Sequence, residues 1–154
     1  MLRITYLLKG ATTALGVVAV FAVIVSTGLG VIGRYFHFNE MTWSFELTAM
    51  SFIWVTALGT IAAEVAGENV ALDMIDQRVS DRGALVLAFF RALVLLVIAG
   101  FLLWSGLALL ARTAFNPTAV MRAPMWLTHS SIIVVGAGLA IVALSRIAKL
   151  FRIS

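Results

Sequence analysis

The chain has 154 residues, 62% of them hydrophobic, with a mean hydropathy of +1.09 and a net charge of +4. A soluble domain carries roughly 45–50% apolar residues, so this excess points to a membrane protein. The basic balance does not mark a nucleic-acid binder, because no basic patch sits beside a soluble fold. The absence of cysteine excludes disulfides, thiol nucleophiles, iron–sulfur clusters and zinc–thiolate sites.

Charges mark the breaks between elements. Between Lys9 and Arg34 lie 24 uncharged residues. A helix needs about 17–25 residues, at roughly 1.5 Å each, to cross a hydrocarbon core about 30 Å thick. A first span is therefore expected over 10–33. Arg3 and Lys9 give it the charged start of a signal peptide, but a signal core runs only about 7–15 residues. The segment reads as an uncleaved anchor.

The second span is expected over 43–64, in a stretch that opens TWSFELTAM. It carries Glu46 near its start and Glu64 at its end, with 17 uncharged residues between them. The connection that follows, 67–82, places Ala71, Leu72, Ile75 and Val79 on one side of a helical wheel. Asn69, Asp73, Asp76 and Gln77 fall on the other. That pattern suits a short amphipathic helix lying along the interface, and an ordinary connector remains open.

The third span is expected over 84–111. Its 28 residues would make about 42 Å of helix, so it must tilt or protrude. The fourth is expected over 124–146, with 23 uncharged residues between Arg122 and Arg146. The result is an all-α integral membrane protein, one membrane domain over 1–154 with four transmembrane helices.

Loop cations orient such a protein. One side holds Arg3, Lys9, Arg78, Arg82, Arg146, Lys149 and Arg152, and the other holds Arg34, Arg112 and Arg122. Seven against three places both termini in the cytoplasm. Trp43 and Trp126 then fall at the outer interface, where amphipathic rings are favoured.

The charged residues near the membrane carry two kinds of reading. Glu46 lies in the first turns of its helix, where the dipole favours an anion. Arg34, at the end of the first helix and at similar depth, is a possible partner. A structural or assembly role for Glu46 competes with a proton or transport role. Glu64 and Arg91 both sit against their helix dipoles at the cytoplasmic boundary. That placement suggests a mutual pair, a partner from another subunit, or an arginine reaching lipid phosphate.

His37 and His129 come from different segments of the outer side, the pattern of a haem-bearing anchor. His37 lies in a loop and His129 at a helix start, where loop polarity and a hydroxyl contact explain them more simply. No phosphate loop, nucleophile elbow or metal motif is present, so no enzyme activity, metal or cofactor is expected. No charge lies at a span midplane, where a self-sufficient ion-coupled carrier usually needs polar groups.

The order of short motifs adds a resemblance. Arg34-Tyr35-Phe36 is followed by Asn39, then by Trp43, Ser44 and Glu46-Leu47. Phe52-Ile53-Trp54 and Leu58-Gly59 come next, then Gly67-Glu68-Asn69-Val70, Leu72-Asp73 and Ala123-Pro124-Met125-Trp126. Over roughly residues 25–145 this resembles the small, four-helix membrane subunit of tripartite ATP-independent periplasmic (TRAP) transporters. Phe45 stands where that family often has an acidic residue, and Asn69 where it often has a histidine.

The resemblance implies a small scaffold subunit of a sodium-coupled symporter in the bacterial inner membrane. Its partners would be a large polytopic permease subunit and a periplasmic substrate-binding protein that delivers an organic acid, with lipids around it and no nucleic acid. The large subunit would carry the substrate and the coupling sodium and move as an elevator. Arg34, Trp43, Glu46, Trp54, Glu64, Asn69, Asp73, Arg91, Pro124 and Trp126 are the candidate structural and interface residues. A standalone four-helix exporter and a haem-bearing anchor of a redox complex are the competing functions.

Overall fold

Inside hydrocarbon each backbone polar group must be satisfied by its own segment or by a closed barrel. The apolar runs of this chain meet that demand as helices. The computed structural model describes residues 2–36, 39–66 and 81–153. Helix α1 spans Leu2–Tyr35, a short 3-10 turn follows at Asn39–Thr42, and α2 spans Trp43–Ala66. Helix α3 spans Asp81–Thr113 and α4 spans Trp126–Ile153. Among the described residues the only β pairing is an isolated bridge between Pro117 and Pro124. All four helices are long and apolar enough to cross a membrane.

The helices run on through the charges that delimit their apolar stretches. At about 1.5 Å per residue, the 34 residues of α1 make about 51 Å and the 33 of α3 about 50 Å. Of the interfacial segment expected over 67–82, residues 67–80 lie outside the described residues, and 81 and 82 open α3. Asn69, Asp73 and His37 lie outside them as well.

The four helices form a row and not a closed bundle. Helix α1 packs on α2, α2 on α4, and α4 on α3. The edge helices α1 and α3 therefore bury less of their apolar spans, 11% each, than α2 at 22% and α4 at 33%. Small residues permit the close approaches, as expected where apolar burial alone gives no preference for protein over lipid. Gly30 of α1 faces Ser44, Gly106 of α3 faces Ile133, and Gly136 of α4 faces Leu103. At Gly138 of α4 a Cβ would fall 2.6 Å from Ile61 Cδ1, and Ile61 is only 1% exposed.

Hydroxyl and indole groups tie the row together. Ser26 of α1 and Thr48 of α2 share a hydrogen bond of 2.8 Å. Trp54 of α2 donates from Nε1 to the Leu127 carbonyl of α4 at 2.9 Å. Thr113, at the end of α3, meets Nδ1 of His129 near the start of α4 at 2.8 Å.

Candidate functional site

The connection between α3 and α4 is a tight ladder of short-range hydrogen bonds. Trp126 N–H donates to Ala114 O at 3.2 Å, Met125 N–H to Asn116 O at 3.0 Å, and Thr118 N–H to Ala123 O at 2.9 Å. Ala123 N–H returns to Thr118 Oγ1 at 2.9 Å. Pro117 and Pro124 face each other across this ladder, and neither has an N–H to leave unsatisfied. Arg122 takes a left-handed φ of 51° and turns the chain at the tip. Such a tip points successive N–H groups outward, a small concavity suited to an anion.

Glu46 fills it. Its Oε2 accepts from Met121 N–H at 2.6 Å and from Val120 N–H at 3.2 Å. Charge-assisted bonds of this kind are shorter and stronger than neutral ones. The first turn of α2 is thus clasped to a loop some seventy residues later in the chain. Arg34 is not the partner of Glu46. Its guanidinium lies over the Phe45 ring, 5.8 Å from the centroid, a cation–π contact. Trp43, half-buried, opens α2. Trp126, 45% exposed, opens α4, and Pro124 belongs to the loop ladder.

The second charged cluster lies at the other end. Glu64 Oε1 meets Arg146 Nη1 at 2.6 Å, and Arg146 Nη2 donates to the main-chain carbonyl of Glu64 at 2.7 Å. One guanidinium thereby satisfies a carboxylate and one of the carbonyls a helix C-terminus leaves without an internal partner. The fork geometry of arginine makes this double grip possible. The sequence marks Arg146 only as an orienting charge, and the structure adds it as a partner of Glu64. Arg91 lines the same cavity of about 410 Å³, with Phe90 and Val94 beside it.

Two sequence-derived residues thus find partners that the sequence did not name. No local pattern links Glu46 to residues 120 and 121, or Glu64 to Arg146. A weak signal existed for the first: two prolines flanking a short polar run, PTAVMRAP, mark a rigid turn able to present its amides. His129, weighed as a haem ligand, has its Nδ1 engaged by Thr113. Among the described residues no three His, Asp or Glu side chains gather as a metal site.

The family of tripartite ATP-independent periplasmic transporters, DctQ component, matches residues 23–153 of the chain. No curated protein matches it.

Proposed function

The chain belongs to this family of TRAP-transporter membrane components, a multi-pass inner-membrane protein, and from that premise we propose that it is the stationary subunit of a sodium-coupled importer. In this reading both termini face the cytoplasm. A large elevator-type permease carries the substrate and the coupling sodium. A periplasmic binding protein delivers an organic acid to the pair, and the chain itself has no catalytic role and no cofactor.

The observation that carries the reading is the fate of the two described acids at the ends of α2. Glu46 holds the α3–α4 loop, and Glu64 is gripped by Arg146. Both acids are engaged in ties within the chain. A carrier needs polar groups that change partners as substrate passes, whereas these bonds hold neighbouring elements in one arrangement.

The test is reconstitution. Pull-down of the full chain from native membranes is expected to recover a large permease. Liposomes holding both are expected to take up an organic acid when the binding protein and a sodium gradient are supplied. Liposomes holding this chain alone are expected to show no uptake. Uptake by the chain alone would overturn the proposal.

A further inference from the structure

A cleft of about 360 Å³ opens between α1 and α2 at the end where Arg34 closes α1. Ser26 and Thr48 form its floor and satisfy each other. Thr27, Arg34 and Tyr35 also line it. Among the described residues, no hydrogen-bond acceptor meets any of these three side chains, and the Arg34 guanidinium lies over the Phe45 ring. Glu46, one residue further along α2, is turned to the Val120 and Met121 amides. The cleft therefore holds a positive charge and a surplus of donors.

Depth decides what can supply the missing acceptors. Both walls belong to membrane-spanning helices, and Arg34 lies in the last turn of α1. Tyr35 and Trp43 stand at that same end, the level at which amphipathic rings mark the headgroup zone. Acyl chains carry no acceptor, but phosphodiester and ester oxygens do. Thr27 and Arg34 are seven residues apart, about two turns and roughly 10 Å along one face. Arg34 therefore stands at the phosphate level and Thr27 deeper, on the side of the glycerol esters. Beneath the cleft, exposed Ile24 and Phe52 continue an apolar track along the helices.

We propose that the cleft binds the phosphate of an anionic phospholipid, with Arg34 on the phosphate and Thr27 at the ester level. No described carboxylate borders it to hold the ammonium of a zwitterionic headgroup. Phosphatidylglycerol is therefore preferred over phosphatidylcholine. In the orientation proposed above, the leaflet is the periplasmic one.

The test uses the full chain, extracted in mild detergent, stripped of lipid and titrated with phosphatidylglycerol or phosphatidylcholine of identical acyl chains. Native mass spectrometry reads the bound lipid, and far-UV circular dichroism confirms that each variant is folded. At least fivefold preference for phosphatidylglycerol is expected. Arg34→Gln is expected to remove that preference, and Thr27→Val to lower retention of both lipids severalfold. Arg34→Lys keeps part of the preference because it keeps the charge. Arg112→Gln, at the same membrane side but outside the cleft, is expected to change nothing. Equal retention of the two lipids, or a preference that survives Arg34→Gln, would overturn the proposal. So would an equal loss in Arg112→Gln. Displacement of the lipid by millimolar inorganic phosphate would show a free-anion site and overturn it as well.

Discussion

Replacing Gly138 by alanine forces apart the contact between α2 and α4. The new Cβ would lie 2.6 Å from Ile61 Cδ1, 2.8 Å from Cγ1 and 3.1 Å from Cγ2. Optimal carbon contacts lie at about 3.5–4.0 Å, so the helices must separate by about 1 Å or Ile61 must leave its rotamer. Ile61 is 1% exposed and has little room to turn. Overpacking of this kind typically destabilises by about 1–3 kcal/mol. Alanine is also a better helix former than glycine by about 1 kcal/mol, which masks part of the loss. Gly59→Ala is the matched control, because a Cβ there meets nothing within 4 Å. Referred to that control the propensity gain cancels, and about 1–3 kcal/mol of steric loss is expected. The assay is unfolding by SDS titration of the purified chain in mixed micelles, followed by far-UV circular dichroism. Ile61→Ala alone leaves a cavity and is expected to destabilise by roughly 2–5 kcal/mol. Combined with Gly138→Ala, it removes the clash and leaves room for the new methyl. The double variant should therefore be more stable than the sum of the single effects by about 1–3 kcal/mol. Additivity within about 0.5 kcal/mol, or Gly138→Ala behaving like Gly59→Ala, would refute the packing argument.

Three further outcomes are expected. Glu46→Ala should release the Val120 and Met121 amides, read as faster hydrogen exchange at those two positions with the four helices retained; unchanged exchange would mean that the clasp does not hold the loop. Arg146→Leu should destabilise by about 1–3 kcal/mol because it removes the guanidinium that grips both the carboxylate and the main-chain carbonyl of Glu64; SDS titration measures it, and an unchanged stability would count against the pair. Trp54→Phe keeps the ring but removes the Nε1 donor to Leu127, and a loss of about 0.5–1.5 kcal/mol is expected by the same titration.

The number and character of the helices were legible because spans are a one-dimensional property. Charge-free intervals such as those between Lys9 and Arg34 and between Arg122 and Arg146 measure the chain against bilayer thickness. The order of helices in the row is not such a property. Each α helix here is apolar on nearly every side, so no stripe says which neighbour it meets. Depth alone therefore points from Glu64 to Arg91, and only the α2–α4 contact adds Arg146. Depth came from counting, while lateral order depended on fits such as Gly138 against Ile61. The clasp on Glu46 was hidden for another reason. Its partners are two main-chain amides, Val120 and Met121, whose side chains take no part and leave no residue-type signature.

The ties of α2 explain what the middle of the row resists. A pair of helices joined at one depth can pivot about the join. Helix α2 is joined to α4 or to the loop leading into it at Glu46, Trp54, Ile61 and Glu64. From Glu46 to Glu64 is 18 residues, about 27 Å of helix, nearly the thickness of the hydrocarbon core. The four ties differ in chemistry: a carboxylate on amides, an indole on a carbonyl, a close-packed glycine, and a guanidinium on a carboxylate. A change in pH, salt or lipid therefore does not release them together. Rocking of α2 against α4 would break bonds at one end while compressing the Ile61–Gly138 contact in the middle. The central pair accordingly behaves as one body.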